Sequence, residues 1–156
     1  MIRVGNGYDV HPPSSNPDRD LVLGGVRFTG ETGLDGHSDA DVIAHACTDA
    51  ILGAAGLGDI GSMFPDTDPS LVGADSIELL RVAAGRVAEA GFEIGNVDCV
   101  VVCDRPRIAP AREEMERRLT AAVGAPVTVK GKRTEGVGAL GRGEGIASWA
   151  VAVVSR

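Results

Sequence analysis

Residues 36–68, GHSDADVIAHACTDAILGAAGLGDIGSMFPDTD, decide how the rest of the chain is read. Within them Val42, Ile43, Ala46, Ala50, Ile51 and Ala54 recur at the spacing of one helical face, so this segment is predicted to be an α-helix. Ser38 reads as its N-cap, with Asp41 three residues on in capping-box position. Gly56 and Gly58 end it. The polar face of the same helix carries Asp41, His45 and Asp49. Residues 59–74 follow as a long loop rich in acids and proline, the kind of loop that usually binds a ligand or covers a site.

Working outward, the chain has three histidines, His11, His37 and His45, all in its first third. His11 belongs to YDVHP, where Asp9 lies two residues before it. Residues i and i+2 of a strand point to the same face. One strand edge therefore offers a carboxylate and an imidazole side by side. With His45 from the helix, Asp9 and His11 form a three-ligand set with a fourth position open. That is the pattern of a catalytic zinc rather than of a closed structural site. Asp41 or Asp49 is placed to hold the second ring nitrogen of His45. The plain alternative is an aspartate before a turn, a surface histidine and a histidine satisfied by its neighbours.

His37 and Ser38 stand at the expected helix start, where free N–H groups and the helix dipole attract anions. Ser38 as a simple cap is the alternative there. In the following loop, Asp59 and Gly61 suit the binding of sugar-like hydroxyls, and Phe64 is placed to close over a ligand; a solvated turn is the alternative. A further cluster, KGKRTE at 130–135 and GRGEG at 141–145, combines cations with glycines that let a phosphate reach the backbone. Glu135 there is an oxygen ligand suited to a hard cation.

The chain's 156 residues suit a single domain, 1–156. Aromatics make up 3%, and there are 22 glycines, so the core must be aliphatic. Few large side chains in a small chain point to an oligomer. The net charge of −7 lacks the basic footprint of a nucleic-acid binder. A phosphorylated small molecule remains compatible, given the cations Arg105, Arg107, Lys130, Lys132, Arg133 and Arg142 in the second half. Cys47, Cys99 and Cys103 are odd in number and lack CxxC spacing, so they read as small core residues. Cys99 and Cys103 are expected on one strand face. With no signal peptide and no long apolar run, the expected setting is cytoplasmic and away from membranes.

The remaining elements follow from pattern. Residues 1–10 read as a strand stopped by Pro12 and Pro13. LVLGGVRFTG at 21–30 reads as a hairpin turning at Gly24-Gly25. A second helix starts at Asp75 or Ser76, and Gly91 lies past its end. NVDCVVVCD at 96–104 is near-continuously apolar, which predicts a strand covered on both faces. Pro110 suits the first turn of a third helix that Gly124 ends. Residues 127–133 and 145–154 read as two more strands. The fold class is α/β in the α+β sense: a mixed sheet of four to five strands with helices on one face, plus a small hairpin. A neighbouring subunit is the simple cover for the other face.

The segments DVHP, GHSDADVIAHACTDAILGAAGLGDIG, MFPDTDP and TEGVGALGRGEGIA, in this order, resemble the 2-C-methyl-D-erythritol 2,4-cyclodiphosphate synthases of non-mevalonate isoprenoid biosynthesis. The resemblance runs from Val4 to Val154. It implies a homotrimer with active sites between adjacent subunits. It also implies a lyase that closes the 2-phosphate of 4-diphosphocytidyl-2-C-methyl-D-erythritol 2-phosphate onto the β-phosphate and releases CMP. By resemblance, Asp9, His11 and His45 hold Zn²⁺ or another divalent cation. His37 and Ser38 contact phosphate, and His37 and Arg133 stand at the positions that assist the transition state. Asp59, Ile60, Gly61, Phe64, Pro65, Asp66 and Asp68 hold the methylerythritol part. Cys103, Arg107, Ile108 and Ala109, with Gly131, Lys132, Arg133 and Thr134, surround the cytidine diphosphate. Glu135 takes Mg²⁺ or Mn²⁺ between the α- and β-phosphates, and Ala139 and Arg142 lie toward the trimer axis.

The chain departs from that family at two of these places. Arg133 stands where a threonine is common, two before the metal-binding acid, so either Arg133 or Thr134 is the donor to the second phosphate contact. Ala139 replaces an aromatic often found near the axis. A zinc phosphodiesterase or phosphatase, or a non-catalytic metal-stabilised oligomer, are the competing readings of the same residues.

Overall fold

A computed structural model describes residues 1–156. Six strands and three long helices make up the fold, with two one-turn helices between them. Strands β1 (Ile2–His11), β4 (Glu93–Val102), β5 (Val127–Lys132) and β6 (Ile146–Ser155) form one mixed sheet. Its order is β1-β6-β4-β5, antiparallel except for the parallel pair β4 and β5. The parallel pair is joined through α4 (Arg112–Val123), the helical crossover that such a pair needs. Strands β2 (Leu21–Leu23) and β3 (Val26–Phe28) form the separate hairpin. Gly24 and Gly25, at φ +57 and +75, supply the two left-handed positions of its turn. The expected mixed sheet with its small hairpin is therefore what the chain forms, with four strands in the main sheet.

Helix α1 (Val42–Ala55) is the central element. Twelve of its residues are buried, including His45 and Thr48, so it is wrapped on nearly every side rather than along one stripe. It lies across β1 and β6, with α3 (Ser76–Glu89) beside it. Two glycines of β1 allow the close approach. A Cβ on Gly7 would fall 2.0 Å from the Ala46 carbonyl oxygen, and one on Gly5 would fall 2.2 Å from that of Ala50. The α1 backbone could not lie where it does over a strand with side chains at those positions.

The start of α1 differs from expectation. Asp41, not Ser38, is the N-cap, and its carboxylate accepts from the N–H groups of Ile43 and Ala44. The same carboxylate also accepts from Gly24 and Gly25 at 2.8 and 2.7 Å, so it clamps the hairpin turn onto the helix end. Ser38 lies three residues too early, because Ala40 takes a left-handed φ of +58 just before the cap. The Ser38 hydroxyl instead accepts from the N–H of Ala40. Burial pushes the Asp41 carboxyl up, to about 6, with the Asp39 charge adding to it and the N–H bonds opposing.

The long loop after α1 holds a one-turn helix, α2 (Ile60–Met63), capped by Asp59, and a short 3-10 turn at Pro69–Leu71. Asp75 caps α3, and Gly91 follows its end at φ +81. Pro110 sits in a 3-10 turn, Ala109–Ala111, that leads into α4 rather than in the helix itself. Cys103 lies past the end of β4, so it shares no strand face with Cys99, although all three cysteines are buried.

Strand β4 is buried on one face only. Val97, Cys99 and Val101 point into the core, and the residues between them do not. Along the sheet's open face Val4, Tyr8, Val10, Trp149 and Val151 are exposed. Tyr8 and Trp149 pack on each other there, with ring centroids 4.9 Å apart. Within one chain the helices cover one face of β4, and the other is the face for which a neighbouring subunit is the expected cover. The apolar run in β4 reflects a sheet whose second face is apolar but open.

Candidate metal and phosphate site

Asp9 and His11 leave the end of β1 on one face, and α1 brings His45 against them. The His45 Nδ1 lies 2.9 Å from the Asp9 Oδ2, and the His11 Nε2 lies 3.1 Å from the same oxygen. One ligand atom from each residue falls within 4.8 Å of the other two.

Hydrogen-bond chemistry fixes which atoms carry protons. The His11 Nδ1 sits 2.7 Å from the Asp35 carbonyl oxygen, which only accepts. Nδ1 therefore carries a proton, which leaves the Nε2 that faces Asp9 as the ring nitrogen a cation can take. The Asp9 oxygen, the His11 Nε2 and the His45 Nδ1 converge on one point. Such a set calls for a positive centre between them, and a divalent ion bound by two imidazoles and a carboxylate fits. Burial would raise the Asp9 carboxyl, but hydrogen bonds and charge from His11 and His45 outweigh it and bring it down to about 2. Burial would lower the His11 imidazole, and Asp9 with the Asp35 carbonyl drives it upward overall.

Neither Asp41 nor Asp49 holds the second nitrogen of His45. Asp41 is committed to the cap. Asp49 accepts from the N–H of Ile60 at 2.7 Å, tying α2 to α1. The His45 Nε2 instead meets the hydroxyls of Ser76 at 2.8 Å and Ser38 at 3.1 Å. Sequence reading missed Ser76, and no local pattern marks it.

A cavity of about 470 Å³ opens on these ligands. His37, Ser38, Ile60, Gly61, Phe64 and Asp66 line it beside Asp9, His11 and His45. His37 and Ser38 do not sit on an open helix end as expected, because Asp41 closes that end. They sit in a bend stitched to the later loop: Gly73 donates to the His37 carbonyl at 2.8 Å, and Asp39 to that of Ala74 at 3.0 Å. The His37 Nε2 lies 2.8 Å from the Asp68 carbonyl oxygen. The guanidinium of Arg19, also missed in the sequence, holds the carbonyls of Leu34, Gly36 and Ser38 and so braces the same bend. The Ser38 hydroxyl is turned inward to His45, Ser76 and Ala40. Asp59 is turned to cap α2 through Ser62, Asp68 binds Ser70, and Pro65 is exposed beside them.

A second cavity, of about 730 Å³, shares no lining residue with the first. Cys103, Arg107, Ile108, Ala109, Gly131, Lys132 and Arg133 line it, together with Arg105 and Arg112. Five cations around one hollow suit a polyphosphate. The Cys103 thiol, pushed up to about 11 by burial and the nearby Asp104, is a neutral wall rather than a nucleophile. Thr134 is buried, and its hydroxyl donates to Asp104 at 2.6 Å and accepts from Gly136. The Arg133 side chain is 81% exposed, with its nearest carboxylate oxygen 3.9 Å away on Asp104. Arg133 is thus the free donor of the pair. Glu135 follows in the loop at φ +53, and Arg142 pairs with Glu144 past the one-turn α5 (Gly138–Gly141) that holds Ala139.

A profile described as the YgbB family matches residues 2–155. A 2-C-methyl-D-erythritol 2,4-cyclodiphosphate synthase from Rubrobacter xylanophilus is 56% identical, over 99% of this chain and 95% of that protein. The bifunctional IspDF structure from Campylobacter jejuni superposes with a TM-score of 0.92 at 42% identity, covering 99% of this chain and 42% of that one. The Plasmodium falciparum IspF CDP complex superposes with a TM-score of 0.83 at 32% identity, covering 98% of this chain and 95% of that one. With nearly every residue matched in sequence and the fold matched in space, this chain belongs to the YgbB family.

Proposed function

We infer that this protein converts 4-diphosphocytidyl-2-C-methyl-D-erythritol 2-phosphate to 2-C-methyl-D-erythritol 2,4-cyclodiphosphate in isoprenoid biosynthesis, with residues 1–156 acting as one cyclase domain. The observation that carries the reading is the convergence of the Asp9, His11 and His45 ligand atoms beside a cavity walled by His37 and the Ile60–Asp66 loop. The reaction is a phosphorus–oxygen lyase step. An oxygen of the 2-phosphate forms a bond to the β-phosphorus. The bond from that phosphorus to the oxygen bridging the α-phosphate breaks, and CMP leaves with that oxygen and the electron pair.

A divalent ion on Asp9, His11 and His45, Zn²⁺ in this reading, supplies Lewis-acid polarisation of phosphoryl oxygens. The chain's own residues do the rest by positioning and charge. His37 and Ser38 face the phosphates from the bend braced by Arg19. Asp59, Ile60, Gly61, Phe64, Pro65, Asp66 and Asp68 enclose the methylerythritol part and limit water, which favours ring closure over hydrolysis. Lys132 and Arg133 offset charge on the diphosphate, with Arg133 taking the place of the usual threonine because Thr134 is already bound to Asp104. Glu135 would hold Mg²⁺ or Mn²⁺, which would supply further charge neutralisation for the diphosphate.

The two cavities lie apart in one chain, and the apolar sheet face is open. Both features support a homotrimer in which the cation-lined cavity of one subunit meets the Asp9 cluster of the next. Ala139 and Arg142 then lie toward the axis. No helix is long and apolar enough to cross a membrane, which fits a cytoplasmic enzyme.

Phosphorus NMR of the reaction mixture tests this. The expected products are a cyclic diphosphate and CMP. Free monophosphate would mean that water attacks instead, and the site would be a hydrolase.

A further inference from the structure

Behind the Asp9 cluster lies a chain of hydrogen bonds, running from the cavity-lining His45 and Ser38 to Ser76 and Asp39, that the proposed reaction does not use. The His45 Nε2 lies 2.8 Å from the Ser76 Oγ. The Ser76 hydroxyl is bonded to the Asp39 Oδ1, and the Ser76 N–H donates to the Asp39 Oδ2 at 3.1 Å. Ser38 stands beside them, its Oγ 3.3 Å from that of Ser76. Ser76, Ser38 and His45 are all buried.

Only one arrangement of protons satisfies this group. A carboxylate oxygen accepts and never donates, so the single Ser76 proton goes to Asp39. The Ser76 lone pairs are then what face His45 and Ser38. His45 must donate from Nε2, because two lone pairs 2.8 Å apart would repel. Ser38, which accepts from the Ala40 N–H, donates its own proton to Ser76. The other tautomer of His45 would leave Nε2 facing Ser76 with no proton between them.

We propose that Asp39 and Ser76 are positioning residues that keep the proton on the His45 Nε2, so that its Nδ1 lone pair is presented to the cation beside Asp9 and His11. The relay rests on the metal reading above and extends it to two residues that do not touch the ion. It orients the ring and places the Asp39 carboxylate behind the Ser76 hydroxyl. Ser76 is the first residue of α3, capped by Asp75. Binding of the ion is therefore coupled to docking of α3 and of the loop that ends at Ala74. Asp35 does the same for His11 through a backbone carbonyl, so each imidazole has its own fixed partner.

The test uses the full chain with zinc. Competition against a chromophoric chelator measures affinity, and proton–nitrogen NMR of the zinc-loaded protein reports the His45 ring. In wild type the Nε2 carries a proton, shifted downfield and slow to exchange. Ser76→Ala should weaken zinc binding about 10- to 100-fold, the usual effect of removing such a partner, and speed exchange of the Nε2 proton. Ser76→Thr, which keeps the hydroxyl, should recover most of the affinity. Zinc affinity unchanged in Ser76→Ala overturns the relay. So does an unprotonated Nε2 in the wild-type spectrum, a result that needs no variant to fold. Failure of the wild type to bind zinc at all refutes the metal reading instead.

Discussion

Gly7→Ala places a methyl group where α1 must lie, and its effect can be worked from the contact it creates. The added Cβ would stand 2.0 Å from the Ala46 carbonyl oxygen and 2.8 Å from the Ala50 nitrogen. Both are backbone atoms of α1, so no side chain can swing aside. Restoring an ordinary contact of 3.4 Å or beyond from 2.0 Å requires α1 to move roughly 1.4 Å off β1. His45 stands one residue before Ala46, while Asp9 and His11 stay on the strand. Metal–ligand distances tolerate only about 0.2 Å, so a cation cannot span the widened gap. If the ion instead pulls the helix back, it works against overpacking of about 1–3 kcal/mol. That strain corresponds to about 5- to 150-fold weaker binding. The assay is zinc affinity by chelator competition, with thermal unfolding of the metal-free protein alongside. Gly85→Ala in α3 is the control, because no atom lies within 4 Å of its added Cβ. It should raise stability by about 0.5–1 kcal/mol and leave the metal alone. Wild-type zinc affinity and stability in Gly7→Ala would refute the argument that this glycine sets the ligand geometry.

Asp41→Asn places an amide against backbone N–H groups that need acceptors, and should cost about 1–3 kcal/mol in denaturant unfolding. It should also flatten the pH dependence. Asp41 in the fold keeps its proton up to about 6, against 3.8 when unfolded, so its contribution is full below 3.8 and is lost as pH rises through about 6. A variant whose stability still falls as steeply as wild type over that window would contradict this. Asp49→Ala removes the acceptor of the Ile60 N–H. It should raise KM several-fold, to about 3- to 10-fold for a lost hydrogen bond near 1 kcal/mol, with zinc content unchanged in elemental analysis. Glu135→Gln should spare zinc and weaken the dependence of turnover on magnesium; an unaltered magnesium titration would remove Glu135 from that role.

Much of this was legible because the signals are local. Val42, Ile43, Ala46, Ala50 and Ile51 mark α1 by spacing alone, and Gly24-Gly25 marks the hairpin because few other residues tolerate both turn positions. Asp9 and His11 are paired by strand geometry, and so few histidines leave His45 as their natural third. The parts that stayed hidden depend on tertiary contact. Ser76 and Asp39 are 37 residues apart in sequence, and nothing local says that one will sit behind His45. Asp41 looked like a mid-box acid because its cap role depends on Ala40 turning left-handed and on a hairpin 16 residues away. Gly5 and Gly7 only weaken a strand on paper. Their purpose is visible once α1 is seen to lie on them. The apolar run of β4 suits a strand covered on both faces, and the exposed Trp149 and Val151 of the adjoining β6 lie on the face that one chain alone leaves for a neighbour.

Anomalous diffraction at the zinc edge, from crystals grown with the ion, tests the central claim most directly. The account predicts one peak about 2.0–2.2 Å from the Asp9 Oδ2, the His11 Nε2 and the His45 Nδ1 together. A peak bound to other residues, or density at those atoms that shows no zinc edge while the protein still turns over, would contradict it.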